Sequence, residues 1–564
     1  MTDENVSKTS EVSIVLSGAA GQGIQAVEHI LTRVAKGSGF HIFATKEYMS
    51  RVRGGNNSTS IRISERPVHS YTDRIDILVL LSDNALERLR PRISKDTIIL
   101  GEGRYVGKEP NSISVNFEEI AESFGNKIYE NSVSIGVLSG IIGADGDVLV
   151  KNISDYFAKK SQEVVKANVN AAIRGYELGR TLGLKYNIKP SEDVKAQLLM
   201  NGAEAVARGA IAGGCNFISS YPMSPATTVF TELSRLSNNY GILIDQAEDE
   251  IAATNMAIAA WYAGARAIVS TSGGGFALMT EAISLSGMIE TPIVVHLGQR
   301  PGPATGLPTR TEQGDLNLVL YAGHGDFPRI IYAPGNLKEA YQLAARAFNV
   351  ADKYQVPVFV LTDQYFLDSF YNVEEMPQVN VERYIVKTDE NYRRYEVTED
   401  GISPRGIPGY GTGVVRVDSD EHDEYGHITE SAQVRKIMVD KRLRKEKLIS
   451  QDSVPPTLYG NPDYEYLVVA WGSTQENIKE ALQKLGNDKV ALLHFSQVYP
   501  VPPVAKEYFD KAKKVIFIEQ NARGHFADLV RLTFAIDTSN RILKYDGSEF
   551  SVEEIVEALS QEVK

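Results

Sequence analysis

The sequence predicts an α/β protein built from several doubly wound domains, and three observations carry that prediction. Residues 12–16 form a strand-like run, a glycine turn spans 18–23, and Ile24, Val27, Ile30, Leu31 and Val34 follow at helical spacing. Strand, glycine turn and helix open a βαβ unit. From about residue 194 to 370, short apolar runs alternate with helices of small residues, the pattern of a mostly parallel sheet. Residues 463–564 repeat that alternation.

In the first region, 75–81 is a near-continuous apolar run, as a parallel strand covered on both faces requires. Residues 97–100 and 112–115 read as further strands, and helices around 162–184 close the domain. The polar stretch 185–193, with Pro190, reads as a linker. In the second region strands are expected at 217–221, 267–271, 293–297, 330–332 and 358–361. Pro357 precedes the last of these, where no ladder donor is lost.

Between 371 and 456 charge density rises, and Gly and Pro interrupt the run 401–409. Glu421-His422-Asp423-Glu424 and then a basic helix, 436–447, follow. This segment reads as a connector lying over other domains, ordered because Tyr and Ile recur without low-complexity runs. In the last region, 466–470, 490–494 and 515–519 are the expected strands. The expected domains are therefore 1–188, 189–370, the connector 371–456, and 457–564.

Composition bounds the function. At one domain per ~150 residues, 564 residues accommodate three or four domains, each with its own core. Lys plus Arg is 59 and Asp plus Glu is 72, a net charge of −13. An acidic chain without a long basic run suits neither nucleic acid nor an anionic membrane surface. The single cysteine, Cys215, excludes an internal disulfide. It also excludes a cysteine-ligated iron–sulfur cluster, which draws on about four thiolates. Electrons handled here must leave through another chain or a bound organic cofactor. A lone thiol, a polar N-terminus without a signal-peptide core and no apolar run of ~18 residues give the expectation of a soluble cytoplasmic protein.

Six segments could carry chemistry. The turn Gly18 to Gly23 is spaced G-x-x-G-x-G, not the G-x-G-x-x-G of a dinucleotide site. It reads either as a tight helix–strand junction or as a phosphate cradle. Arg51 and Arg53 beside Gly54-Gly55 suit an anionic group, or are simply solvated. Tyr221-Pro222-Met223-Ser224-Pro225 follows a strand and precedes a helix. Ser224 is expected to N-cap that helix with Pro225 at its first position. If the strand end faces a ligand crevice, its hydroxyl can also bond a ligand. Glu248, Asp249 and Glu250 open a helix that is small and apolar nearly all round, and so buried. Carboxylates there complement the helix dipole. Glu250 abuts the buried part, where a carboxylate must be paired or protonated, so it is the acid/base candidate. Ser272-Gly273-Gly274-Gly275 permits close backbone approach or makes a simple turn. The long Gly/Pro-rich loop 298–311 carries Arg300 and Arg310, which are natural bidentate partners for a carboxylate.

Together, and in this order, these segments resemble the α subunit of 2-oxoacid:ferredoxin oxidoreductases in the form with a γ domain fused ahead of α. The turn 18–23 and residues 51–57 look like the γ domain. Residues 221–227 look like the family's Tyr-Pro-Ile-Thr-Pro motif, and 250–266 look like its pyrimidine-side helix. Residues 305–316 and Gly323-His324-Gly325-Asp326 look like the rest of that domain. Asp423-Glu424-Tyr425-Gly426-His427 is similar to 2-oxoglutarate-type members. Two departures are Met223 for Ile and Ser224 for Thr; the latter keeps the hydroxyl but frees its rotamer.

The resemblance implies a γ-type α/β domain, a thiamine pyrimidine-binding-like domain and a C-terminal transketolase-C-like domain. It implies oxidative decarboxylation of a 2-oxoacid, 2-oxoglutarate before pyruvate, with the acyl group passed to coenzyme A and electrons to ferredoxin. Glu250 would bond the aminopyrimidine of thiamine diphosphate. Tyr221, Pro222 and Ser224 would contact cofactor or substrate, and Arg310, with Arg300 as second choice, would neutralise the substrate carboxylate. The Mg²⁺-binding Gly-Asp-Gly of such sites has no counterpart beyond Ala144-Asp145-Gly146, in the wrong domain. Mg²⁺ and the [4Fe-4S] cluster are therefore expected in a separate β subunit, within a heterotetramer. The competing readings are a non-redox thiamine-dependent decarboxylase or carboligase subunit, and a non-catalytic coenzyme-binding protein.

Overall fold

The computed structural model describes residues 10–19, 22–49, 55–82, 85–107, 109–184 and 186–563. The chain is mixed α/β and divides into two compact units, residues 1–200 with 368–375, and residues 201–367 with 376–564. Among the described residues no helix is long and apolar enough to cross a membrane.

The first unit is built on a mixed sheet. Its strands lie in the order Ser112–Ser114, Ile98–Gly101, Ile77–Leu80, Glu11–Ala19, Asn56–Ser64, His41–Glu47, Phe370–Val373, Leu198–Asn201. The strands on one side of Glu11–Ala19 are parallel, as the apolar runs predicted. The long hairpin-like pair His41–Glu47 and Asn56–Ser64 is antiparallel, and the sequence reading did not anticipate it. Its residues alternate Ser, Thr and Arg with Ile, a period-2 signal weaker than a continuous apolar run. Of the turn 18–23, the described residues Ala19 and Gln22 are held together through the Gln22 side chain. Gln22 donates to the Leu81 carbonyl (3.0 Å) and accepts from Ala19 N (2.7 Å). Gly23, at φ 78°, starts the helix Ile24–Gly37. Ala20, Gly21, Arg51 and Arg53 lie outside the described residues. Asp145 caps the helix Gly146–Phe157, accepting from Asp147 N at 2.8 Å, so its carboxylate is used locally.

The second unit holds two sheets. The larger runs Gln497–Tyr499, Ile330–Tyr332, Pro357–Asp363, Ile293–Gln299, Ala267–Thr271, Phe217–Ser220, Leu243–Gln246. All its pairs are parallel except the outer one with Gln497–Tyr499. The central strands are buried throughout, which explains their continuous apolar sequences. The chain passes from Phe217–Ser220 outward to Leu243–Gln246, then returns to the other side at Ala267–Thr271. That reversal makes a topological switch point, where α/β sheets open a crevice at the strands' carboxyl ends. The smaller sheet, Thr457–Tyr459, Val490–Phe495, Tyr466–Trp471, Lys514–Glu519, Arg541–Leu543, encloses its own apolar core.

Residues 376–431 contain isolated bridges, Ile385 with Arg405, Thr388 with Gly411 and His422 with Ile428. The basic helix spans Ala432–Gln451 and buries part of its charge. Lys441 and Lys445 both reach the buried Glu290 carboxylate, the first at 2.6 Å. A buried carboxylate held by two ammoniums fixes this helix to the larger sheet's layer. Lys441 is pushed down to about 8 by burial, against the opposing pull of Glu290.

Candidate functional site

Four of the predicted segments meet because each follows a parallel strand. Residues 221–226 leave Phe217–Ser220, Glu250 follows Leu243–Gln246, Ser272 follows Ala267–Thr271, and Arg300 follows Ile293–Gln299. Parallel strands end on one edge of the sheet, so sequence-distant loops converge there.

The centre of the site is the first turn of the helix Gly273–Met288. Its glycines admit neighbours that any side chain would exclude. A Cβ on Gly275 would lie 2.9 Å from Glu250 Cδ and closer still to Glu250 Oε1 and Thr271 Oγ1. A Cβ on Gly273 would lie 2.6 Å from Asp315 Cγ. Gly274 faces both flanking loops, with Met223 Sδ and the Ala304 carbonyl within 4 Å of such an atom.

Four buried polar atoms around this turn have no hydrogen-bond partner among the described residues: Glu250 Oε1, Ser272 Oγ, Arg300 Nε and Asp315 Oδ2. Glu250 and Ser272 are 3% and 0% exposed. Native proteins rarely leave such atoms orphaned, since each costs ~1–3 kcal/mol. Four in one crevice mark a place built for a polar ligand. Asp249, not Glu250, caps its helix, accepting from Ala252 N at 2.7 Å. Glu248 is exposed. Of the three carboxylates, only Glu250 is turned inward.

Arg300 is the arginine that the fold brings to the Tyr221–Pro225 segment. Its Nη1 donates to the Ser224 carbonyl at 2.7 Å. Burial lowers its pKa, while Asp315 opposes the shift. Arg310 lies elsewhere on the same loop: a Cβ on Gly547 would be 3.3 Å from Arg310 Cβ, and Thr311 N donates to Gly547 O at 3.1 Å. Of the two arginines, Arg300, the second choice, bonds Ser224, while the backbone and Cβ at Arg310 pack against Gly547.

Ser224 is not the N-cap that its sequence suggested. The helix begins at Thr227 with Ala226 as cap residue. The carbonyls of Met223 and Pro225 take the Thr227 and Thr228 amides (3.1 and 3.2 Å), so the first turn is satisfied by backbone and the Ser224 side chain is left exposed. Tyr221 is 41% exposed at the mouth, and Pro222 is half-buried. A buried relay holds this loop from below. Ser270 donates to the Ala226 carbonyl (3.0 Å), His296 Nδ1 donates to Ser270 Oγ (2.8 Å), and Thr362 donates to His296 Nε2 (2.9 Å). Burial holds His296 neutral, with its pKa near 3.

Asp315 was not singled out in the sequence, though it lies in a segment that was. It is fixed through Gln313, whose side chain donates to the Trp471 carbonyl at 2.8 Å, and through its own amide to Gln299 Oε1 at 3.1 Å. Burial pushes its pKa up to about 7, with Glu312 adding and Arg300 opposing. The sequence signal was an Asp directly ahead of an apolar helix, which reads as an ordinary cap. Gly323-His324-Gly325-Asp326 stands apart, His324 and Asp326 lining a cavity of about 400 Å³ with Ser284 and Glu421. Asp423 and His427 form an exposed turn, 3.3 Å apart.

Comparison with known proteins follows the same division of the chain. Residues 208–441 match the family described as pyruvate flavodoxin/ferredoxin oxidoreductase, thiamine diphosphate-binding. Residues 13–178 match pyruvate ferredoxin/flavodoxin oxidoreductase. A 2-oxoacid:ferredoxin oxidoreductase subunit alpha from Sulfolobus sp. is 32% identical over 98% of this chain and 97% of its own. The 2-oxoglutarate oxidoreductase subunit KorA of Mycobacterium tuberculosis is 28% identical over 97% of this chain and 91% of its own. The solved 2-oxoglutarate:ferredoxin oxidoreductase from Magnetococcus marinus, with 2-oxoglutarate, coenzyme A and succinyl-CoA bound, is similar with a TM-score of 0.93 at 29% identity, over 99% of this chain and 100% of that chain.

Proposed function

Since the chain belongs to the α subunits of 2-oxoacid:ferredoxin oxidoreductases, we propose that with a separate β subunit it oxidatively decarboxylates a 2-oxoacid to an acyl-CoA and delivers electrons to ferredoxin in the cytoplasm. The observation that carries this reading is the set of four orphaned polar atoms around the first turn of Gly273–Met288. Donor and acceptor types are mixed there, as an aminopyrimidine and an oxoacid together require.

Bound thiamine diphosphate supplies the carbon nucleophile and electron sink for decarboxylation. The residues present fit its pyrimidine end. Glu250 Oε1 is buried, unpartnered and fixed against Gly275, so it can hold a proton at the pyrimidine ring nitrogen. Ser272 Oγ offers a further hydrogen bond. Arg300, with its Nε unspent, binds the substrate carboxylate, and Ser224 at the mouth orients the substrate. In this reading Arg300 takes the part first expected of Arg310.

The composition of this chain supports a separate β subunit. Its one cysteine cannot ligate a cluster, so the [4Fe-4S] cluster and the Mg²⁺–diphosphate half of the site are assigned to β. The helices Glu250–Tyr262 and Gly273–Met288 are apolar on all sides, yet Ile251, Met256 and Leu278 are exposed. Such a face beside an incomplete site suits a partner subunit. 2-Oxoglutarate is favoured over pyruvate by the Asp423–His427 segment and by the names of the KorA relative and the Magnetococcus marinus enzyme.

The test is co-expression with a β subunit of the same family, followed by assay of bound thiamine diphosphate, iron and coenzyme A-dependent viologen reduction. Turnover with 2-oxoglutarate exceeding that with pyruvate is expected. Decarboxylation without viologen reduction would replace the reading with a non-redox thiamine enzyme. A chain that binds neither thiamine diphosphate nor a partner would replace it with a coenzyme-binding protein.

A further inference from the structure

Asp315 is a carboxyl group that the local fold does not use. It stands at the N-cap position of the helix Leu316–Leu320, yet its side chain makes no capping hydrogen bond. It turns instead toward Gly273, which lacks the side chain that would block it. Oδ2 is buried without a partner. Arg300 is near enough to act on it electrostatically but does not form an ion pair with it within 4 Å. Arg300 Nε is itself unpartnered. Two opposite charges thus share a crevice without neutralising one another, each with one unspent atom.

We propose that Asp315 is a positioning residue that acts through Arg300 and sets the charge of the oxoacid-carboxylate subsite. As a neutral acid it leaves the guanidinium uncompensated, and an anionic substrate enters. As a carboxylate it compensates Arg300 and repels the substrate. This rests on the oxidoreductase reading above, which makes Arg300 the carboxylate partner.

The charged groups facing Asp315 fix the sign. Arg300, from the end of Ile293–Gln299, favours the carboxylate; Glu312, on its own loop, opposes it; burial opposes it most. The facing turn of Gly273–Met288 carries no titratable side chain before Gly275, where Glu250 approaches. With the pKa near 7, the acid form predominates below neutrality. Substrate binding then carries a proton with it above pH 7, and KM rises with pH.

The experiment uses the assembled enzyme with its β subunit. KM for 2-oxoglutarate is measured from pH 6 to pH 8 at saturating coenzyme A. Binding of oxalate, a non-reactive dianion over this range, is measured calorimetrically at pH 8 in two buffers of different ionisation enthalpy. For the wild type, KM should rise about tenfold across that range, and oxalate binding should take up close to one proton. Asp315→Asn should remove both the KM slope and the proton uptake. A flat wild-type KM, absent proton uptake, or an unchanged slope in Asp315→Asn would overturn the assignment while leaving the oxidoreductase reading intact. Absence of any 2-oxoacid turnover would overturn both. If Asp315→Asn fails to assemble, the wild-type proton uptake alone decides.

Discussion

Glu250 and Gly275 approach so closely that no side chain fits between them: a Cβ on Gly275 would sit 2.9 Å from Glu250 Cδ. The helix that carries the acid and the helix that carries the glycine are thereby locked in register. The carboxylate is held in one place, with Oε1 unspent.

Gly275→Ala is therefore expected to act on the site more than on the fold. The added methyl must displace Glu250 or Thr271, both buried; overpacking of this kind costs ~1–3 kcal/mol. The assembled enzyme should lose at least about tenfold in kcat or in thiamine diphosphate affinity, read by turnover and by cofactor titration. Wild-type values for both would remove the contact from the mechanism.

Glu250→Ala should lower kcat by roughly 10²- to 10⁴-fold, the range for a positioned acid or base, with the α–β complex still forming. Turnover at saturating thiamine diphosphate checks it. A variant with wild-type kcat would take Glu250 out of the site and favour a non-catalytic chain.

The two arginines should separate. Arg300→Ala removes a guanidinium bonded to the Ser224 carbonyl at 2.7 Å. A charge-assisted bond worth ~1.5–3 kcal/mol corresponds to a rise in KM of roughly 10- to 150-fold. Arg310→Ala, against Gly547, should change KM less than about threefold. The reverse order would restore Arg310 as the carboxylate partner.

Glu290→Gln leaves Lys441 and Lys445 buried without their counter-charge. Breaking such a cluster costs ~3–5 kcal/mol. Urea denaturation should show an earlier transition for the second unit. Coincident curves would mean that these lysines find other partners.

His296 gives a pH dependence. Burial lowers its pKa from 6.5 to about 3, so between these values the unfolded chain binds a proton that the folded chain does not. Its contribution is complete above pH 6.5 and is lost as pH falls toward 3, about 4–5 kcal/mol at full linkage. His296→Asn should reduce the slope of unfolding free energy against pH by close to one proton between pH 4 and pH 6. Parallel slopes for both proteins would show that His296 titrates normally.

What the sequence determined by itself is local. Continuous apolar runs marked the central parallel strands at Ala267–Thr271, Ile293–Gln299 and Pro357–Asp363, because burial on both faces demands them. Glycines beside strand ends and an inward-facing Glu250 marked the segments able to carry chemistry. Tertiary structure decided what meets what. Strand order and register are non-local, so no spacing along the chain could show that Arg300 reaches the Ser224 carbonyl. Nor could it show that Asp315 turns from its own helix toward Gly273. The same holds for the Lys441 and Lys445 ion pairs with Glu290, 151 residues away from Lys441. The antiparallel pair His41–Glu47 and Asn56–Ser64 was missed because its polar alternation is carried by cross-strand partners that the sequence does not name.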